Sequence, residues 1–305
     1  MWDIVGLDRP CVDIVVNVNR FPEANGREKV QTLLFQGGGK AATGLCAASR
    51  LGAKCALMGT VGDDDWADFC AGETQKFGVD VSRLRKRTGH CTSISVVISD
   101  RESQGRSILS CKSQGQTLAF REMDQAALRD TKYLYLPWLD GEFVRAAKTV
   151  REAGGRVMLD ADCNTQFLME NLSNLDILIG SEELYGSLFG GAGTMAKNLG
   201  ALSQKGPEMV LFTFGPDGAA GYSRQDGFFV QPAFRLPVTD TLGAGDVFHG
   251  AFLAGLIAGK NAPEAAKLAC AVAALKCTRP GGRTGIPTRE QAEELMKTGA
   301  FHAGE

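Results

Sequence analysis

The sequence predicts a single α/β domain, a mostly parallel sheet wrapped by helices, with a small β-sheet inserted as a lid. Three observations carry this. Through the middle of the chain, apolar strand-like runs alternate with helical strings: Tyr133-Leu-Tyr-Leu136, Gly141 to Ala153, Arg156-Val-Met-Leu-Asp160 and Leu175-Asp-Ile-Leu-Ile179. Parallel strands need a crossover to return, so this alternation is their signature. Two glycine-rich turns, Gln36-Gly-Gly-Gly-Lys-Ala-Ala-Thr-Gly44 and Thr241-Leu-Gly-Ala-Gly245, each open onto a helical string. Between Cys91 and Ser110 the pattern becomes strand-like, with Ser93-Ile-Ser-Val-Val-Ile98 and Arg106-Ser-Ile-Leu109 joined by a polar loop containing glycine, a hairpin signal. At 305 residues, 44% hydrophobic, the chain has enough apolar material for one such domain over 1–305, the lid taking about 11–34 and 90–118.

Composition narrows the partners. A net charge of −2 and a pI near 6.0 leave no broad basic surface for nucleic acid. No apolar run reaches membrane-spanning length, and Met1-Trp-Asp-Ile-Val-Gly lacks the regions of a signal peptide, so a cytoplasmic location is expected. The nine cysteines show no Cys-x-x-Cys and mostly sit in apolar strings, which reads as reduced, packed thiols.

In order, Trp2-Asp-Ile-Val-Gly6 is a short apolar strand and Cys11-Val-Asp-Ile-Val-Val-Asn-Val18 a second. Asp13 on the latter is either an exposed edge residue or a carboxylate accepting from two vicinal hydroxyls. The glycines of 36–44 free backbone amides at a helix start. This is not a nucleotide P-loop, because Ala41 follows Lys40 where Ser or Thr is required. Cys55 to Gly62 is a buried strand, and Asp63-Asp-Asp65 caps the next helix rather than holding a metal. Pro137, Trp138, Asp140, Asp160, Asp162 and Asn164 lie just past strand ends, where open α/β sheets bind ligands. Gly191-Ala-Gly-Thr-Met-Ala196 imitates a dinucleotide fingerprint but follows a helical string, so its context is wrong. Met209-Val-Leu-Phe-Thr213 is a buried strand ending in a glycine turn, and Phe228 to Pro232 a short one. Ala262 to Cys277 is helical, and Thr278 to Pro287 is turn-dense.

The chemistry centres on Asp240-Thr-Leu-Gly-Ala-Gly-Asp-Val-Phe-His-Gly250. Gly243, Ala244 and Gly245 let the backbone approach a ligand, and amides at the helix start that follows point out of its positive end, an anion hole. Asp246 adds a carboxylate able to take a proton from a hydroxyl beside a bound phosphate. The plainer alternative is a Gly-rich turn with a first-turn charge that suits the dipole.

Asp-Thr-x-Gly-Ala-Gly-Asp resembles the signature of the ribokinase or PfkB family of carbohydrate kinases, and further matches extend from residue 2 to about 290. The resemblance implies a ribokinase-like three-layer fold with a β lid, and an ATP-dependent kinase phosphorylating a sugar hydroxyl, with Asp246 as base and Gly243, Ala244 and Gly245 as anion hole. It implies sugar contacts from Asp13, Gly38, Gly39 and Lys40, with Thr43 where the family has Asn, and from Arg27 and Trp138; Lys112 and Arg27 lie on lid stretches and are candidates for an anionic end of the substrate. ATP contacts fall to Thr213, Gly215, Gly218, Thr241 and Gly243. The chain reads Gly180-Ser-Glu-Glu-Leu184 where the family's Asn-x-x-Glu is expected, leaving Ser181 with Glu182 or Glu183 to hold Mg2+ through water. A potassium ion would take carbonyls of Asp240, Leu242, Lys276, Arg279 and Gly281. A homodimer through the lid sheet is implied too. The string Ala273 to Pro287, with Asp-Val-Phe-His-Gly, is most similar to the sulfofructose kinase branch, although Pro137 stands where a cation is expected beside Trp138. A ketohexose or sulfofructose is therefore expected ahead of ribose. The alternatives are a nucleoside kinase, disfavoured by scarce lid aromatics, and a catalytically impaired sugar-binding protein, disfavoured by the intact Asp246.

Overall fold

A computed structural model describes the chain except for residues 103–104, 112–116, 164 and 300–305. Lys112 and Asn164 lie outside the described residues. Strand β1 (Trp2–Asp8) runs into β2 (Cys11–Val18), which returns as β3 (Val30–Gly37) into helix α1 (Lys40–Arg50). After β4 (Cys55–Gly62), α2 (Asp65–Gln75) and β5 (Asp80–Arg87) come β6 (Ser93–Asp100) and β7 (Arg106–Cys111). A short α3 (Gln125–Arg129) leads to β8 (Thr131–Leu136), α4 (Gly141–Glu152), β9 (Arg156–Ala161), α5 (Gln166–Asn171) and β10 (Ile177–Ser181). Then follow α6 (Glu182–Phe189), α7 (Met195–Ser203), β11 (Met209–Thr213), β12 (Ala219–Ser223) and β13 (Gly227–Gln231). Helices α8 (Ala244–Ile257), α9 (Ala262–Lys276) and α10 (Arg289–Thr298) end the fold.

The main sheet has the order β13-β12-β11-β10-β9-β8-β1-β4-β5, parallel except for β12 and β13. Side chains alternate across it, as the pleat requires. Ile4, Tyr135 and Met158 face a core shared with α1, α8 and α9, while Val5, Leu134, Leu136, Val157 and Leu159 face a second core with α4 and α7. The result is the three-layer α/β architecture expected. The four-stranded lid, β3-β2-β6-β7, also forms as expected. β2 is an inner strand of it, so Asp13 is not an edge residue. Strands β5 and β12 carry no strong sequence signal, β5 because its Arg83, Arg85, Lys86 and Arg87 mask any apolar alternation.

The chain progresses to β4 on one side of β1 and to β8 on the other, so the strand order reverses at β1/β8. The crevice past the C-terminal ends of such strands is the natural ligand site of an open sheet. The lid springs from that edge, since only Arg9 and Pro10 separate β1 from β2.

Helices α1 and α8 cross there with backbone against backbone. A Cβ placed on Gly250 would lie 1.8 Å from the carbonyl oxygen of Gly44, and one on Gly44 would lie 2.9 Å from the carbonyl oxygen of Asp246. No side chain fits either position. Replacing Gly250 by Ala should force the helices apart and cost about 1–3 kcal/mol, as overpacking of a tight core does; urea unfolding monitored by circular dichroism measures it.

Candidate active site

The glycine turn before α8 forms as the sequence implies. Gly243 adopts a left-handed conformation (φ 71°) immediately before α8. Ala244 N–H donates back to the Thr241 carbonyl at 3.1 Å and Val247 N–H to Gly243 at 2.9 Å. The first-turn amides of Gly245 and Asp246 belong to the positive end of the helix. Asp240 shapes the loop from within: its carboxylate accepts from the amides of Leu242 at 2.9 Å and Gly281 at 2.8 Å.

On one side of this helix start lies a cavity of 370 Å³, with Thr213, Gly215, Gly218 and Thr241 in its wall together with Ala244 and Gly245. Four of the five residues expected at the nucleotide, Thr213, Gly215, Gly218 and Thr241, thus line one cavity, and Gly243 is not in its wall. The rest of the wall, including Phe234, Leu236, Phe248 and Ala273, is apolar and suits a flat aromatic ring. Glu182 and Glu183 are exposed at the start of α6, which Ser181 caps by accepting from Leu184 N–H. Ser181, which precedes them, pairs with the cavity residue Thr213 across β10 and β11.

On the other side of the same helix start is a cluster of charges. Lys40 Nζ donates to Asp162 Oδ2 at 2.6 Å, to the Pro137 carbonyl at 3.2 Å, and lies 3.2 Å from Asp160 Oδ2. His249 Nδ1 is 3.3 Å from the same Asp160 oxygen and 3.4 Å from the Tyr135 hydroxyl. Asp160, Asp246 and His249 bring ligand atoms within 4.8 Å of one another, the spacing of a metal site, but Lys40 already places a cation among them. Burial, reinforced by the Asp160 charge, pushes the Asp246 pKa well above the carboxylate range, against the pull of Lys40. Burial also opposes ionisation of Asp160, yet His249 and Lys40 outweigh it and hold that pKa below its usual value. The two carboxyls thus shift in opposite directions, Asp160 down and Asp246 up.

Asp13 lies within electrostatic reach of Asp246. A Cβ on Gly38 would lie 2.4 Å from Asp13 Oδ2, so glycine is needed there to admit the carboxylate. Burial raises the Asp13 pKa, with a hydrogen bond from the Cys11 thiol and the nearby Arg283 acting the other way. Gly39 precedes α1 and has no side chain to cap it; the buried Asp8 substitutes, its Oδ2 accepting from Ala42 N–H at 2.9 Å.

Three expectations change. Thr43 is buried, and its hydroxyl accepts from Arg283 Nε at 3.1 Å instead of lining the crevice. Arg27 stands exposed between β2 and β3, and none of the described contacts joins it to the cluster. A cation does stand beside Trp138: the Arg9 guanidinium lies 5.2 Å from the centre of its ring. Arg9, Asp8, His249 and Arg283 are site residues the sequence did not single out. Among the cysteines Cys91, Cys111 and Cys163 are exposed, so the expectation of packed thiols holds only for the majority.

Residues 3–289 match the family model described as pfkB family carbohydrate kinase. The ATP-dependent ribose-1-phosphate kinase of Halopiger xanaduensis is 27% identical over 287 residues, 93% of this chain and 94% of that protein. The ketohexokinase of Mus musculus is 25% identical over 281 residues, 88% of this chain and 94% of that protein. The crystal structure of ribokinase from Thermotoga maritima superposes with a TM-score of 0.81 at 25% identity, covering 98% of this chain and 100% of that one.

The raised Asp246 pKa makes a stability prediction. A carboxyl that ionises less readily in the fold than in the unfolded chain favours folding fully below its unfolded pKa of about 3.9 and loses that contribution as pH rises through the folded value. Asp246→Asn should therefore raise the melting temperature of the ligand-free protein at neutral pH, and the advantage should vanish below about pH 4. Thermal melts across that range decide it.

Proposed function

This chain belongs to the pfkB family of carbohydrate kinases, phosphotransferases with a hydroxyl group as acceptor, and we propose that it transfers the γ-phosphoryl group of ATP to a ketohexose or an anionic derivative of one, such as sulfofructose, in preference to ribose. The observation that carries the reading is the position of the α8 start between an apolar cavity and a carboxylate-lined crevice, with Asp246 facing the crevice from the third residue of the helix.

In this mechanism ATP lies along the cavity with its phosphates at the amides of Gly245 and Asp246, beside Thr213, Gly215, Gly218 and Thr241. Asp13 and the turn Gly38-Gly39 hold sugar hydroxyls under the lid. Asp246 takes the proton of the attacking hydroxyl as the new O–P bond forms and the bond to the ADP oxygen breaks. The helix amides accept the charge spread over the transferring oxygens. Lys40 neutralises Asp160 and Asp162, so that Asp246 can ionise in their company. Glu182 and Glu183 are the carboxylates that would hold the water shell of Mg2+, which when bound with ATP supplies charge neutralisation on the phosphates.

Arg9 over Trp138 favours a substrate with an anionic end, because a guanidinium fixed on an aromatic face keeps its fork free for a sulfonate or phosphate. The named activity of the Halopiger relative, on ribose 1-phosphate, also involves an anionic sugar. ADP release should be measured with fructose, sulfofructose, tagatose, ribose, inositol and nucleosides. Turnover with a ketohexose or its sulfonate is expected, falling about 10²–10⁴-fold in Asp246→Asn with ATP affinity retained, since that is what a base acting in the transition state supplies. Sugar binding without turnover in the parent protein would point instead to an impaired binding protein.

The lid's exposed apolar side chains, Val30, Leu33 and Phe35 on β3 and Ile108 and Leu109 on β7, support a homodimer through this sheet. Light scattering should give a dimer for the parent chain and a monomer for Leu33→Asp; a monomeric parent removes the proposal.

A further inference from the structure

Lys276, the last residue of α9, is fully buried among apolar neighbours that include Leu275, Val272 and Ala271. A lysine is almost never placed so without a reason, because its ammonium must find acceptors away from water. The acceptor is the backbone carbonyl of Asp240, 2.9 Å away, at the head of the anion loop. Burial lowers the Lys276 pKa, against the pull of the Cys277 thiol and the carboxylates of Asp240 and Asp246.

The surrounding backbone is stitched into one unit. The amides of Thr239 and Asp240 donate to the Cys277 carbonyl at 2.8 and 3.1 Å, and the Thr239 hydroxyl donates to the Thr278 carbonyl at 3.0 Å. This is the region where a potassium ion is expected on the carbonyls of Asp240, Leu242, Lys276, Arg279 and Gly281. The donor set does not fit that ion. The Asp240 carbonyl is engaged by an ammonium, and the Lys276 carbonyl accepts from Arg279 N–H at 3.3 Å. Two of the five expected ligands thus already accept a hydrogen bond, and at one of them, Asp240, a cationic side chain stands where the ion would sit.

We propose that the Lys276 ammonium is the built-in cation of the anion loop, a positioning residue that holds the Asp240 carbonyl and adds positive charge behind the α8 amides, and that turnover therefore needs no monovalent cation. The inference rests on the kinase reading for its turnover arm only. A cation behind the loop strengthens its hold on phosphate by the same electrostatics as the helix dipole.

The test titrates KCl against tetramethylammonium chloride at constant ionic strength, reading both ADP release with the best sugar and ATP affinity by calorimetry. In the parent protein both should stay within about twofold throughout. Lys276→Met should lose roughly tenfold or more in ATP affinity in tetramethylammonium and regain part of it on adding K+ or methylammonium, ion-specific rescue that a purely structural role would not give. Activation of the parent by K+ of about fivefold or more, or a Lys276→Met protein that loses nothing, overturns the proposal. If Lys276→Met does not fold, the parent titration decides alone. No ADP release in any salt, with ATP affinity still independent of K+, sinks the kinase reading and leaves the role of Lys276 at the loop standing.

Discussion

The contact of α1 with α8 at Gly44 and Gly250 is the constraint on which the site depends. Two helices can approach this closely only where neither carries a side chain. Here the approach brings two helix starts together, the turn before Lys40 and the turn before Asp246. Lys40 can then reach Asp160 and Asp162 from one helix while Asp246 enters the same crevice from the other. Tyr135 and His249 fill the space beneath, joined to Asp160. The spacing of the reacting groups is set by backbone contact, which is stiffer than anything side chains could provide.

Two buried cations on the C-terminal segment complete the arrangement. Lys276 supports the anion loop, and Arg283 turns the opposite way. Its guanidinium donates to Thr43, to the Thr74 hydroxyl at 3.1 Å and to the Gly38 carbonyl at 2.9 Å. Those partners lie 209 to 245 residues earlier, so one side chain fastens the sugar-side turn to the loop beside the phosphates. Its charge is balanced across space by Asp8 and Asp13, whose carboxyls it stabilises in their ionised form. Removing Arg283 would leave the buried Asp13 carboxylate without its nearby cation, a costly state.

Much of this was legible in the sequence, and the rest was not for definite reasons. The strand and helix alternation, the lid hairpin and the α8 start are local patterns, written within a dozen residues each. The cavity residues 213, 215, 218 and 241 were legible because glycine turns mark them. Thr43 was misplaced because its position near the glycine turn is visible but its partner, Arg283, is 240 residues away. Arg9, Asp8 and His249 matter through pairings of the same distant kind, with Trp138, Ala42 and Asp160. Lys276 was counted for its carbonyl, since nothing in an Ala-rich helical string shows that a lysine will be turned inward.

The lid has a mechanical property that follows from its attachments. Of its two segments, the β2–β3 hairpin enters from β1 through Arg9 and Pro10 and leaves through Gly38 and Gly39 into α1, while β6 and β7 form the other. On the proposed function both ends of the hairpin belong to the surface that would touch a sugar, and Asp13 rides on the strand between them. A ligand pulling on these residues does work directly on the lid, with no intervening linker to absorb it. On the proposed function the lid would act as a gauge of its own contents: a sugar that engages both attachments would draw it shut, whereas water, which spans neither, would not, and ATP would be spared wasteful hydrolysis.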